Sequence, residues 1–351
     1  MHSAESSPCA GSRETDPRTD HFRRSKAPSL LRWNSELMSK AILTLTVNPA
    51  LDRIVTVDRL AFEDRGYIES TTEAAGGRGI NAARVLTGFG VSAVAVTTSG
   101  RDTGRRFEEK LQDDRFEKEV VKIRNGIRIN LTISDRQGLS IKLNERGPAL
   151  AQAELNRIVK AVEKWLPNAS WLMLCGSLPP NVDSHFYTRL IKLSIKHKVE
   201  TLLDTDGDPL LHGLEGKPTI VKPNQSEAER LLNTALITRT QLIDAVQRIK
   251  AMGPQSVVLS LGSRGLIAAT SSEGVLQVMP PPIDAVCAIG AGDAMAAAIV
   301  WSLQRGDAFS DALRWGVAAG TASAKLPGIT LASLEQTKEF YPQTQVTRVA
   351  V

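Results

Sequence analysis

The sequence predicts an α/β protein: a central, mostly parallel sheet covered by helices on both faces, with a small β-lid beside it. Three observations carry that expectation. From residue 151 onward, helical stretches of about 10–15 residues alternate with short apolar strands, the rhythm of βαβ units. The strands read as continuous apolar runs, such as SWLMLCGS and VETLLDTD, as expected when helices bury both sheet faces. Two segments, about residues 52–72 and 127–145, break that rhythm with shorter, half-polar alternations. These suit exposed lid strands.

The totals agree. A chain of 351 residues, 42% hydrophobic and 23% charged, can bury the core of one large domain. The net charge is +5, without a basic run interleaved with aromatics. That excess favours a small anionic substrate over nucleic acid. Cys9, Cys175 and Cys287 lie far apart, excluding a cysteine-based zinc site and giving no disulfide framework. This fits a cytoplasmic protein. His185, His197 and His212 show no HxxxH spacing and read as surface or packing residues. No apolar run approaches the roughly 20 residues needed to span a bilayer.

Residues 1–40 are polar and rich in Ser, Pro and charge, and contain no apolar segment of a secretory signal. They read as a disordered extension, with Met38 an alternative translation start and the folded domain expected over 41–345. ILTLTVNPA reads as the first buried strand and a turn. Short lid strands follow, then AAGGRGINAARVLTGFG, a glycine turn opening a helix that ends at Gly88 or Gly90. VSAVAVTTSG is the next buried strand, and 101–115 a helix. NGIRINLTISD and GLSIKLNERGP complete the lid. Beyond them come helix AELNRIVKAVEKWL, strand SWLMLCGS, helix SHFYTRLIKLSIKHK and strand VETLLDTD. TIVKP is a strand, SEAERLLN and TQLIDAVQRIKAMG are helices, and VVLSLGSRGLIAATS is two strands about a turn. Helices over 291–304 and about 310–325 close the pattern.

In such sheets ligands bind at the carboxyl ends of the strands. Polar clusters fall there at Asn48–Asp52, Gly76–Asn81, Gly176–Pro180, Lys222–Glu227, Gly262–Gly265 and Gly290–Asp293. Each alone is a turn or a helix cap; together they mark one edge. The chain has neither GxGxxG nor GxxxxGK[ST], which weighs against a dinucleotide enzyme and a P-loop. The remaining anion-binding device is a helix N-terminus. Gly290, Ala291 and Gly292 offer backbone amides there. Asp293, in the first turn, reads either as a cap or as a general base for an attacking hydroxyl. Asn224 and Glu227, spaced NxxE, read either as a capping box or as contributors, through water, to a Mg²⁺ site.

TVNPALD, GGRGINAARVL, NGIRINLTI, IKLNERGP, CGSLPPN, VKPNQSEAERLL, LSLGSRG and IGAGDA, in that order, resemble the ribokinase-like (PfkB) carbohydrate kinases. The nearest likeness is to the 1-phosphofructokinase and tagatose-6-phosphate kinase branch, from about residue 42 to 330. The resemblance implies a Rossmann-like ribokinase fold whose β-lid closes over the sugar and helps form a homodimer. It implies ATP as donor with Mg²⁺. Asp293 matches the base, and Gly290, Ala291 and Gly292 the anion hole. Asp52, Gly76, Gly77 and Asn81 match sugar-hydroxyl positions. Arg128 and Lys142, on the lid, match cations facing a sugar phosphate, with Arg78 near the glycines. Ser260, Gly262, Ser263 and Gly265 match the ATP loop, and Lys222 and Asn224 residues near its phosphates.

The implied reaction is phosphorylation of a phosphorylated ketohexose, fructose 1-phosphate first. Tagatose-6-phosphate kinase, 6-phosphofructokinase and a neutral-sugar or nucleoside kinase are alternatives. A sugar-phosphate-binding regulator is the rival without catalysis. Two departures from the branch stand out. Arg78 replaces a usual lysine, keeping the charge on a planar fork, and Cys287-Ala288 precede the GAGD where small polar residues are common. Cys287 reads as a packing residue.

Overall fold

Two kinds of strand sequence give two sheets. The computed structural model describes residues 40–61 and 64–349. The expected extension over residues 1–40, with Cys9 and Met38, lies outside the described residues except for Lys40. The strands are β1 (Ala41–Thr46), β2 (Ala50–Val57), β3 (Ile68–Gly76), β4 (Ala93–Ser99), β5 (Glu117–Lys122), β6 (Arg128–Asp135) and β7 (Ser140–Asn144). Next come β8 (Ala169–Cys175), β9 (Glu200–Asp204), β10 (Ile220–Val221), β11 (Ser256–Ser260), β12 (Leu266–Thr270), β13 (Gly274–Met279) and β14 (Gln345–Val349). Ten form the main sheet in the order β14-β13-β12-β11-β10-β9-β8-β1-β4-β5. It is parallel from β5 to β11 and antiparallel beyond. Every residue of β4 and β8 is buried, because helices cover both faces.

β1 lies between β4 and β8, so chain order runs outward from it in both directions. In open sheets of this kind ligands bind at such a reversal, outside the carboxyl ends of the strands. The turns after β1, β3, β8, β10 and β11 and the start of helix Ala291–Gln304 carry the polar clusters named above. Helices Ala291–Gln304 and Phe309–Ala324 match the expected spans. Helix Arg78–Gly88 ends at Gly88, with Gly90 following at φ +85°.

The lid is a second sheet ordered β3-β2-β6-β7. Alternation divides its side chains between two faces. Asp52 pairs with Asn130, which pairs with Asn144, and Thr132 pairs with Lys142. That face is polar. The other carries Val55, Ile133 and Ile141 in one row and Arg53, Leu131 and Leu143 in the next.

The sheet is longer than the sequence suggests. β5 (EKEVVK) and β14 (QVTRV) are edge strands whose charges mask their period, and β13 was not expected. Helices Gly207–Leu214 and Leu334–Phe340 were also unanticipated. The domain boundary at 345 needs correction: β14 starts there and pairs with β13 through Val349. Among the described residues no helix is long and apolar enough to cross a membrane.

Candidate active site

Helix Ala291–Gln304 begins on Gly290, whose backbone is left-handed at φ 80° and carries no side-chain cap. A Cβ there would lie 2.8 Å from Leu331 Cδ2, so glycine meets both a steric and a conformational demand. The apolar run from Ala294 onward is buried and fixes the helix start in the core. Asp293 is not the cap. Its Oδ2 accepts from Asn81 Nδ2 at 2.8 Å. Ala291 N–H turns back to Ala288 O at 3.3 Å. The amides of Gly292 and Asp293, the next in the first turn, make no hydrogen bond among the described residues. The Gly290 amide makes none there either, so of the three expected donors Gly290 and Gly292 are open, Ala291 is turned away, and Asp293 adds a further one.

Beside this helix start lies a buried ion cluster. Asp204, at the end of β9, accepts from Arg78 Nη1 at 2.7 Å and from Lys222 Nζ at 3.1 Å. Arg78 Nη2 reaches Glu227 Oε1 at 3.0 Å and Asp206 at 3.5 Å. Lys222 Nζ would lie 3.8 Å from a Cβ on Gly292, which puts an ammonium at the open helix end. Burial, aided by the charge of Asp204, raises the Asp293 carboxyl to a pKa of about 6; Asn81, Arg78 and Lys222 pull the other way. Asp204 goes down: its two cations outweigh the cost of burial.

Arg78, the cation expected near the glycines, commits its fork to carboxylates. Asn81, expected at the sugar, holds Asp293, while its Oδ1 accepts from Arg84 Nη1 at 3.3 Å. Asn224 and Glu227 form the capping box. Glu227 N–H donates to Asn224 Oδ1 at 2.9 Å and Asn224 N–H to Glu227 Oε2 at 2.8 Å. With Arg78 on its other oxygen, Glu227 has no free oxygen aimed at a metal.

Asp52 projects from the polar lid face. Its carboxylate occupies the space of a missing side chain: a Cβ on Gly76 would fall 1.9 Å from Oδ2. Gly77 holds φ 132° at the start of helix Arg78–Gly88. Asn130 Nδ2 donates to Asp52 Oδ1 at 2.9 Å. Burial raises the Asp52 carboxyl, against the Asn130 bond and the charges of Arg128 and Arg84. Arg128 Nη1 reaches Glu145 O at 3.3 Å. Burial lowers the Arg128 pKa; Asp52 and Asp206 oppose that and Arg78 reinforces it. Arg128 Nε, Asn130 Oδ1 and Asn48 Oδ1 are buried without a partner among the described residues. Lys142 is on Asp52's face but two strands away, and exposed.

On the other side, Asn224 bridges to Ser260, joining the Lys222 turn to the end of β11. Gly262, Ser263 and Arg264 make a 3₁₀ turn, with Gly262 at φ 61° and Gly265 at φ 78°. A Cβ on Gly265 would meet Val278 O at 2.0 Å. Cys287 is half-buried and free, its N–H held by Ala324 O at 3.0 Å.

The site thus gathers its expected members from both sheets, except for the outlying Lys142. Sequence reasoning missed Asp204, Asp206 and Asn130. A carboxyl closing the apolar run VETLLDTD was the available signal for Asp204. For Asn130 the signal was its place two residues after Arg128 on an alternating strand.

Chemically, the cleft joins a carboxylate of raised pKa, an open helix N-terminus and an ammonium to a polar lid with unsatisfied atoms. Comparison with known proteins agrees with that pairing. The sequence model of the pfkB family of carbohydrate kinases matches residues 46–336. ATP-dependent 6-phosphofructokinase isozyme 2 of Escherichia coli (strain K12) is 31% identical over 303 residues, covering 86% of this chain and 97% of that protein. The 1-phosphofructokinase of Borreliella burgdorferi is 30% identical over 305 residues, covering 87% and 98%. The crystal structure of phosphofructokinase-2 from Escherichia coli in complex with potassium superposes with a TM-score of 0.81 at 30% identity, covering 87% of this chain and 99% of that one. The chain belongs to the pfkB family of carbohydrate kinases.

Proposed function

We propose that the protein transfers the γ-phosphoryl group of ATP to a hydroxyl of a phosphorylated ketohexose, with fructose 1-phosphate as first choice. The observation that carries the transfer is Asp293: a carboxylate of pKa about 6 beside open amides and Lys222. At neutral pH it is ionised and basic enough to take the hydroxyl proton as the oxygen attacks. The Gly292 and Asp293 amides and Lys222 Nζ stabilise charge on the transferring group. Asn81 aims the carboxylate.

Arg128 supports a sugar already bearing a phosphate. Its buried, unpartnered Nε is a donor that an anionic ligand would satisfy, and Asp52 with Asn130 offers acceptors and a donor to hydroxyls. Ser260, Gly262, Ser263 and Gly265 supply the turn for the nucleotide, with Asn224 beside it. Mg²⁺, when bound, neutralises phosphate charge. Because both Glu227 oxygens already hold donors, Glu227 reaches such an ion only through water, as does Asn224, whose Oδ1 is used as a cap. The exposed apolar lid face, with Ile68, Ile141 and Leu143 at 67%, 39% and 54% exposure, supports a homodimer through the lid. Free Cys175 and Cys287 suit a reducing cytoplasm.

A coupled ADP-release assay over fructose 1-phosphate, fructose 6-phosphate, tagatose 6-phosphate, fructose and ribose tests this reading. Turnover is expected with a phosphoketohexose well above fructose or ribose. Faster turnover of fructose or ribose would overturn the phosphosugar assignment, and ADP release with none of them would favour the regulator.

A further inference from the structure

Outside the cleft, folding brings together two histidines that the sequence holds 27 positions apart. His185 precedes helix Phe186–Lys196, and His212 lies in the last turn of helix Gly207–Leu214. Their rings stack with centroids 4.0 Å apart at 28°. Glu215 serves both: Oε1 lies 3.0 Å from His212 Nδ1 and Oε2 lies 3.8 Å from His185 Nε2. The three ligand atoms fall within 4.8 Å of one another. Asp183 fixes the first ring from behind, its Oδ1 at 3.2 Å from His185 Nδ1 and at 2.9 Å from the His185 backbone N–H.

We infer that His185 Nε2, His212 Nδ1 and Glu215 form a binding site for a divalent transition-metal ion of the Zn²⁺ class, separate from the phosphoryl-transfer cleft. Two ligands on a tetrahedral zinc, each about 2.0–2.1 Å from the ion, are about 3.3 Å apart. The Glu215 oxygens lie near that spacing, Oε1 at 3.0 Å from His212 Nδ1 and Oε2 at 3.8 Å from His185 Nε2. Because a ring nitrogen's lone pair lies in the ring plane, the two rings must turn out of their 28° stack to aim at one ion. Their exposure permits that rotation. An imidazole whose far nitrogen donates to a carboxylate is the arrangement that orients metal-binding histidines, and Asp183 provides it for His185. Two imidazoles and one carboxylate select zinc, cobalt, nickel or copper over the oxygen-seeking Mg²⁺ or Ca²⁺. Side-chain exposures of 45%, 29% and 55% for His185, His212 and Glu215 leave the ion an entry path and room for water as fourth ligand.

The position gives the ion something to hold. His185 ends the connection that leaves β8 and contains Ser177, which accepts from Asn48. His212 and Glu215 lie just after Asp206, which faces Arg78. Thr188 Oγ1 already donates to His212 O at 2.6 Å, tying the two helices at one point. A metal adds a second tie between segments that both border the cleft. Lys192 and Arg189 are the nearby cations that an ion must compete with.

The test uses the full chain, freed of metal by a chelator and titrated calorimetrically with Zn²⁺ alone at pH 7.5. One equivalent is expected to bind and to raise the melting temperature. His185→Ala and His212→Ala should each lose that equivalent, and Asp183→Asn should weaken it about tenfold or more. His2, His21 and His197 stay unchanged in every variant, so any background they contribute is constant. Circular dichroism verifies folding of the variants, and Glu215→Gln, isosteric and exposed, supplies a second route to the same loss. Co²⁺ substitution should give the intense visible absorption of a four-coordinate site in the wild type only. Equal Zn²⁺ binding by wild type and the His185→Ala/His212→Ala double variant would overturn the proposal, as would no binding by wild type. Neither outcome bears on sugar turnover, so the site fails or stands apart from the proposed kinase reaction.

Discussion

The main sheet and the lid are built on opposite terms. β4 and β8 are buried at every residue, whereas every residue of β7 is exposed. Asp293, Lys222 and Asp204 rest on the first kind of scaffold, and Asp52, Arg128 and Lys142 on the second. In the proposed reaction, the groups that act on the transferring phosphoryl group and the attacking hydroxyl need fixed geometry, which close packing supplies. The groups proposed to discriminate between acceptors sit on a more open sheet, where Asp52 and Arg128 are half-buried and Lys142 is exposed. In that proposed reaction, rate belongs to the sheet and selectivity to the lid.

Asp293→Asn should break the sheet side most severely. The proposed reaction loses its base, and kcat should fall about 10²–10⁴-fold. Stability should move the other way. Because the folded carboxyl titrates near 6 against an ordinary value of 3.8, the folded state binds its proton more tightly than the unfolded state. Stability from this group is therefore present at low pH and lost as pH rises from about 4 to 6, up to about 3 kcal/mol. The neutral amide of the variant carries no such charge, so thermal melts at pH 7 should show a higher melting temperature than wild type. That difference should vanish near pH 4. In the wild type, kcat/KM should rise with pH and level off above about 6 as the base ionises.

Asp204→Ala should cost about 3–5 kcal/mol, because it leaves Lys222 and part of Arg78 buried without their counter-charge. Urea titration measures that loss; a change below about 1 kcal/mol would mean that Asp206 and Glu227 suffice. On the lid, Arg128→Ala should weaken phosphosugar binding by about 1.5–3 kcal/mol, visible as a raised KM with an unaltered melting temperature. An unchanged KM would remove Arg128 from the phosphate. The mildest effect is expected from Ile141→Glu on the outer lid face: a smaller particle in light scattering, with the monomer's fold retained.

The same contrast explains what could be read from the sequence. Buried strands announce themselves, since SWLMLCG has no reason to be apolar throughout unless both faces are covered. Glycines at strand ends pointed to the cleft because turns and open amides need them. Edge strands β5 and β14 escaped notice because their side chains meet water on most sides and keep no clean period. The partners of Arg78 and Asn81 stayed hidden for another reason. Sequence reports that a polar side chain stands near a site, whereas its partner comes from a distant segment: Asp293 is 212 positions from Asn81. His185 and His212 were passed over on spacing alone, because helices after neighbouring strands, not one helix turn, bring them together.

The Arg78 fork has a consequence for how this chain could change over time. One planar group joins Asp204 to Glu227, and Glu227 belongs to a capping box 149 positions further along the chain. A lysine at position 78 has one terminal nitrogen and could not bridge both carboxylates in the same way. Replacing Arg78 by lysine would thus leave one acid underserved unless the segment around Glu227 changed as well. The glycine turn and the distant helix start form a heritable pair, and a swap between relatives should succeed only when both are moved together.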